Sequence, residues 1–259
     1  MRPELITLGP LVVSSYALML CLAATLGFWL TWLEARRKGI DDGAMLGVAV
    51  VAFAAALVGA RATSLLLHGG FDGKREWWSV LLVWERGGMS LVGGLAAAVV
   101  AGLLYARGSG LRAWDTADTV ALAWTPALAL VRVGCFFNGC CFGRPTTIPL
   151  GVVAGGSPNN VAFGIPSHPT QLYAAAFAVG LFALLWRLRG RRRFEGQLAL
   201  VCIGPLAAFR FANGFLRGDT RIAWRTGELG VLGLNQLLAL AALLFVLVAW
   251  RRLSTGRPA

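Results

Sequence analysis

The chain has 259 residues, 57% of them hydrophobic and only 14% charged, with a mean hydropathy of +0.68. That balance excludes a soluble domain and predicts an all-α integral membrane protein, organised as one transmembrane domain over residues 1–259. The net charge of +12 comes mostly from arginines between apolar runs, which points to an anionic lipid surface and not to nucleic acid.

Apolar runs of about 20 residues, enough to cross a bilayer, can be drawn at 11–33, 43–66, 88–106, 117–137, 170–187, 197–217 and 230–250. Seven transmembrane helices follow, with a loop region at 138–169 between the fourth and fifth. Period-2 alternation bounded by turns is not seen, so a β-barrel is not expected. The first run is too long for a signal h-region and lacks the usual basic flank, so it reads as a retained helix.

The connections set the orientation. Arg36, Arg37, Lys38, Arg107, Arg112, Arg187, Arg189, Arg191, Arg192, Arg193, Arg251, Arg252 and Arg257 fall on one side, thirteen in all. The other side has eight: Arg2, Lys74, Arg75, Arg86, Arg144, Arg217, Arg221 and Arg225. The heavier side is expected in the cytoplasm, which puts the N-terminus and the 138–169 loop on the exported side and the C-terminus inside.

Three of the 24 basic residues remain, Arg61, Arg132 and Arg210, each inside or at the edge of an apolar run. An arginine cannot escape burial by losing its proton, and at a bilayer centre it costs roughly 2.5–3.5 kcal/mol on insertion scales. Nearly all acidic residues fall in connections, with Asp115 and Asp118 at the start of the fourth run. A bound anion is therefore expected to meet these guanidinium groups, and a phosphodiester suits their bidentate fork; snorkelling to the interface is the simpler alternative, strongest for Arg61. Glycine clusters at Gly87-Gly88, Gly93-Gly94, Gly134, Gly139 and Gly143 predict close helix approach or irregular backbone beside a ligand.

Five cysteines divide into two kinds. Cys21 and Cys202 lie in apolar runs and read as small buried hydrophobes. Cys135, Cys140 and Cys141 flank Arg132 in the stretch Arg132 to Thr146. A disulfide within the trio, a reactive thiol lowered in pKa by Arg132 or Arg144, and plain packing are all open. Metal binding is a further and weaker reading, because the Cys-x4-Cys-Cys spacing is not a usual zinc pattern and no nearby histidine completes it, and no metal site is assigned. No Rossmann fingerprint, Walker loop, paired-carboxylate site or Ser-His-Asp arrangement is evident, and no cofactor is expected.

The ordered motifs resemble the prolipoprotein diacylglyceryl transferase family over nearly the whole chain. They are Leu8-Gly-Pro10 with Tyr16-Ala-Leu-Met19, Arg36-Arg37 to Asp41, Gly59-Ala-Arg61, Gly87-Gly-Met-Ser90 with Gly93-Gly-Leu95, and Asp118 fourteen residues before Arg132. Gly139 to Thr146, His168-Pro-Thr-Gln-Leu-Tyr173, and Arg210, Phe211, Phe215 and Arg217 with Gln236 complete the order. The resemblance implies transfer of a diacylglyceryl group from phosphatidylglycerol to the thiol of an exported precursor peptide at a bacterial plasma (inner) membrane, with release of glycerol phosphate. It also implies that Arg132 and Arg210 hold the phosphate, that Tyr16 hydrogen-bonds it, and that Gly143 lets backbone come close. Arg61, Asn138, Arg144 and Arg217 complete the expected substrate contacts.

The likeness breaks at the reactive end. The family's histidine is Val92 here, its asparagine and acidic residue in the signature are Cys135 and Cys140, and its tyrosine and glutamate in the last motif are Leu206 and Gly214. Only His68 and His168 remain as histidines. His168 is the candidate substitute base, although a histidine before proline at a helix start equally suits a cap or headgroup contact; Cys135, Cys140 and Cys141 are the other candidate catalytic groups. Two rivals keep the scaffold: a lipid-binding thiol-redox protein, and a lipid-binding or lipid-moving protein without catalysis. A transferase with another acceptor is the third variant.

Overall fold

A computed structural model describes residues 4–8, 11–67, 90–153, 164–217 and 233–255. His68, the basic residues Arg2, Lys74, Arg75, Arg86, Arg221, Arg225 and Arg257, and the Gly9-Pro10 and Gly87-Gly88-Met89 stretches lie outside them. Seven helices fall within the described residues: α1 Ser15–Lys38, α2 Asp42–Leu67, α3 Leu91–Gly108, α4 Ala113–Phe137, α5 Thr170–Leu188, α6 Gln197–Gly214 and α7 Leu234–Thr255. Five of them, α1, α2, α4, α5 and α7, are long and apolar enough to cross a membrane. The α3 and α6 helices have 18 residues each, about 27 Å at 1.5 Å per residue, close to the roughly 30 Å hydrocarbon core. The chain is an all-α integral membrane protein, with two small β-hairpins as its other regular structure among the described residues.

The first of these hairpins corrects the expected start of the first helix. Residues 11–14 are not helical; they form β2 (Leu11–Ser14), paired antiparallel with β1 (Glu4–Leu8). Val12 and Val13 are β-branched and favour the strand, and Ser14 then accepts a hydrogen bond from the Ala17 amide at 3.1 Å, which starts α1. At the other end Arg36, Arg37 and Lys38 sit in the last turn, where the helix dipole favours cations. Gly39, at φ +66°, ends the helix, and the Ile40 amide reaches back to the Ala35 carbonyl at 3.0 Å.

The chain divides into two compact units, residues 28–119 and residues 1–27 with 120–259. In the 28–119 unit α2 packs on α3. A β-carbon on Gly93 would stand 2.7 Å from the Gly59 carbonyl oxygen, and one on Gly59 2.8 Å from that of Gly93. These glycines serve close helix approach. Ser90 caps α3 by accepting from the Gly93 amide and donates its own amide to the Ala60 carbonyl at 2.9 Å. The turn charges are tied down locally: Arg37 pairs with the buried Glu34, Arg112 with Asp115 at 3.0 Å, and Lys38 donates to Thr119 at 3.0 Å. Arg61 is buried on α2 in this unit.

In the other unit α6 packs against both α5 and α7, with Phe177 stacked on Phe209 at 4.3 Å. Cys202 is buried beside Thr125, 3.6 Å from its hydroxyl. Cys21 departs from expectation, because it lies on the exposed face of α1. Buried positions are rich in small residues such as Ala129, Ala175, Ala178, Ala199 and Ala207, while Leu244 and Leu247 are exposed. An apolar outer surface over a small-residue interior suits a hydrocarbon solvent.

Candidate functional site

The site is built where the loop after α4 is stitched to the start of α5 and the end of α6. Gly139, at φ +70°, terminates α4, and the Cys140 amide returns to the Cys135 carbonyl at 3.2 Å. The chain then turns through Cys141, at φ +62°, the one non-glycine residue in the left-handed region among those described. Two residues of the first turn of α5 clamp this turn. The Thr170 hydroxyl donates to the Cys141 carbonyl at 2.7 Å, and the Gln171 amide donates to the Cys140 carbonyl at 2.6 Å.

Beyond the turn a short backbone ladder sets the remaining positions. The Gly143 amide donates to the His168 carbonyl at 2.8 Å, the Arg144 amide to Leu216 at 2.8 Å, and the His168 amide to Arg144 at 3.0 Å. Gly143 bridges Arg217, Pro145 bridges Ser167, and β3 (Val152–Val153) pairs with β4 (Pro166–Ser167). Arg217, the last residue of the sixth run and counted with the exported-side charges, lies past the end of α6 and is placed by this ladder.

One pocket results, lined by Arg132 of α4, Arg210 of α6, Arg217, Cys141, Thr170, Gln171, Leu206, Phe209 and Asn213, with Leu128 and Ala174. Three guanidinium groups from three separate segments therefore face one space. Gln171 and Asn213 are buried, and among the described residues each has one side-chain amide oxygen without a hydrogen-bond partner. Buried polar atoms are normally satisfied, so these two acceptor oxygens are available to a donor group on a ligand. Among the described residues no side chain with a carboxylate lines the pocket, and its chemistry is that of an anion receptor.

Arg61 lies in the 28–119 unit, while Tyr16, Asn138, Gly143, Arg144 and His168 belong to the same unit as the pocket. Tyr16, in the first turn of α1, packs against Gly134, where a β-carbon would stand 3.4 Å from its ring. Asn138 is exposed, and its side chain reaches the Cys140 thiol. Arg144 is exposed and contributes its backbone to the ladder. The His168 ring hydrogen-bonds the Tyr173 hydroxyl at 3.4 Å and is not part of the pocket lining. Gly143 faces protein instead of ligand: a β-carbon there would stand 2.5 Å from the His168 β-carbon and 2.7 Å from the Leu216 carbonyl oxygen. The sequence reading missed Thr170, Gln171 and Asn213, whose polarity inside apolar runs was the available signal.

All five cysteines are free thiols. The sulfur atoms of Cys135, Cys140 and Cys141 lie within 4.8 Å of one another. Hydrogen bonds from Cys135 and Cys140, reinforced by the Arg217 and Arg132 guanidinium groups, hold the Cys141 thiol far below the usual range. Cys141 stands on the pocket wall.

Comparison with known proteins adds an independent line. The family described as prolipoprotein diacylglyceryl transferase matches residues 3–252. The chain is 34% identical over 226 residues to a phosphatidylglycerol–prolipoprotein diacylglyceryl transferase of Nitratidesulfovibrio vulgaris (strain DP4), covering 83% of this chain and 81% of that one. It is 30% identical over 261 residues to the enzyme of that name from Legionella pneumophila (strain Philadelphia 1), covering 96% of both. Against the Clostridioides difficile (strain 630) enzyme of the same name the identity is 27% over 233 residues, or 88% of this chain and 90% of that one.

Proposed function

Because the chain belongs to the prolipoprotein diacylglyceryl transferase family, we propose that it moves a diacylglyceryl group from phosphatidylglycerol to a cysteine thiol of an exported precursor peptide. The observation that carries this reading is the convergence of Arg132, Arg210 and Arg217 on one pocket. A phosphate headgroup there accepts charge-assisted hydrogen bonds, each contributing about 1.5–3 kcal/mol. As the carbon–oxygen bond to the phosphate breaks, negative charge grows on the departing glycerol phosphate, and the same guanidinium groups stabilise it. Arginine stays cationic throughout. The unpartnered Gln171 and Asn213 amide oxygens are acceptors, and they suit the hydroxyl groups of the headgroup glycerol while the arginines take its phosphate. The protein sits in a bacterial plasma membrane with its N-terminus outside, its C-terminus in the cytoplasm and the 138–169 loop on the exported side, as the thirteen-to-eight division of basic residues favours.

Mass spectrometry of lipid that co-purifies with the detergent-solubilised protein tests the phosphate site. Arg132→Ala and Arg210→Ala are expected to retain at least tenfold less phosphatidylglycerol, since 1.4 kcal/mol is a factor of about ten. Arg36→Ala should match the parent chain, because Arg36 lies over the Trp32 ring at the end of α1. Equal retention in all three variants would remove the reading. Incubation with phosphatidylglycerol and a cysteine-bearing precursor peptide, followed by peptide mass, then reads transfer itself.

A further inference from the structure

Three thiols beside the arginine pocket have no part in holding a phosphate. Cys135 lies in the last turn of α4, and Cys140 and Cys141 in the turn that follows. Their sulfur atoms lie within 4.8 Å of one another, and among the described residues no histidine, aspartate or glutamate joins them. The turn is held at some cost. A left-handed conformation at a residue with a β-carbon costs roughly 1–2 kcal/mol, yet Cys141 adopts it at φ +62°, fixed by Thr170 and Gln171 through the Cys141 and Cys140 carbonyls. The result is a preset triangle of soft ligands, one of them on the pocket wall.

We propose that Cys135, Cys140 and Cys141 bind a zinc ion whose fourth position takes the acceptor thiol, an inference that rests on the transferase reading and supplies its missing base. Zinc–sulfur bonds of about 2.3 Å in a tetrahedral site put sulfur atoms about 3.8 Å apart, so the triangle closes by about 1 Å or less. Cysteine side-chain rotation suffices for that. Three protein thiolates leave one position open, the arrangement of a catalytic and not a structural zinc. The net negative charge of such a centre is met by Arg132 and Arg217, which share the pocket with Cys141.

The chemistry balances without a redox partner. The acceptor thiol binds zinc and releases its proton to water, becoming a metal-bound thiolate. Its sulfur attacks the glyceryl carbon that carries the phosphate ester; the sulfur–carbon bond forms, and the carbon–oxygen bond breaks with its electron pair on the phosphate oxygen. Glycerol phosphate leaves as an anion on the arginines. The product thioether is a weaker zinc ligand than the thiolate and dissociates. Val92 and Cys140, where the family resemblance places a histidine and an acidic residue, then mark an exchange of one way of making a thiolate for another.

Cobalt(II) titration of the full-length, reduced, metal-stripped protein in detergent tests the site. One equivalent is expected to give thiolate-to-cobalt charge transfer and the intense visible bands of a tetrahedral site, both removed by zinc. Cys140→Ser and Cys141→Ser should lose these bands and Cys21→Ser keep them. Cys140→His, which offers a nitrogen ligand, should keep a site with shifted bands. A precursor peptide bearing cysteine should change the visible spectrum, and the same peptide bearing serine should not. Failure to bind cobalt or zinc, binding of copper(I) alone, bands that survive Cys140→Ser, or indifference to the cysteine peptide would each overturn the proposal. Phosphatidylglycerol retained by the same preparations reports separately: retention without metal binding sinks the zinc site and leaves the lipid pocket standing.

Discussion

Gly143→Ala separates two roles for one atom's worth of space. The family resemblance gives Gly143 a role at the ligand, whereas the structure fills the position of the missing β-carbon with protein. That β-carbon would stand 2.5 Å from the β-carbon of His168, 2.7 Å from the Leu216 carbonyl oxygen and 2.8 Å from the His168 carbonyl oxygen. None of these atoms is the far end of a flexible side chain, so no rotamer change relieves the clash. The backbone itself must part, straining the hydrogen bonds Gly143 to His168 and Arg144 to Leu216, both 2.8 Å. Overpacking costs about 1–3 kcal/mol, and the upper end applies where backbone is the obstacle. At about 2–4 °C per kcal/mol for a chain of this size class, the apparent melting temperature in detergent should fall by roughly 6–12 °C. Thermal unfolding followed by circular dichroism on the parent and Gly143→Ala, each with bound phosphatidylglycerol quantified, decides the matter. An unchanged melting temperature with lost lipid would refute the packing role and restore the ligand role.

Thr170→Val removes the 2.7 Å hydrogen bond to the Cys141 carbonyl at nearly constant shape; it should cost about 1 kcal/mol and speed alkylation of Cys141, as measured by peptide mass after timed iodoacetamide treatment. Gly93→Val puts a side chain against the Gly59 carbonyl, 2.7 Å from its first carbon, and should reduce folded yield by size-exclusion chromatography, whereas Gly180→Val, with open space around its missing β-carbon, should not. Gly214→Ala meets only the Gln236 side chain, at 3.0–3.3 Å; its loss of melting temperature should be small and should shrink further beside Gln236→Ala, a non-additive pair. Thr147→Cys, exposed in the 138–169 loop, should react in intact cells with an impermeant maleimide above the parent background, and Arg191→Cys should not; the reverse pattern would invert the topology.

The helices were legible because lipid imposes one requirement on every span, an apolar run of sufficient length, and each of the seven runs contains a helix within a few residues of its limits. The start of α1 was not, because Val12 and Val13 are as apolar as a helix needs and only their pairing with β1 tells strand from helix. Arg132 and Arg210 announced themselves as charges within apolar runs. Arg217 joins them in the pocket through a backbone bridge to Gly143, a contact with no local signature. The thiol triangle was illegible for a related reason. Its spacing matches no common metal pattern, and its geometry depends on a left-handed cysteine held by two residues about thirty positions away.

The two ends of the proposed reaction place unequal demands on the protein, and the chain reflects that inequality. The departing phosphate needs fixed positive charge in a site shielded from water, where losing one stabilising donor costs about 2.7–4 kcal/mol of barrier; only arginine offers a permanent, forked charge at that depth. The acceptor end needs much less. A free thiol with a pKa of about 8.5 is a few per cent ionised at neutral pH, and full ionisation is worth roughly 2 kcal/mol at 1.36 kcal/mol per pKa unit. A nearby base, a cluster of cations or a metal ion can each supply that amount. On the proposed reading the phosphate end is therefore held to Arg132 and Arg210, while the thiolate end can change its chemistry, from the histidine and carboxylate that the family resemblance implies to the three thiols of Cys135, Cys140 and Cys141.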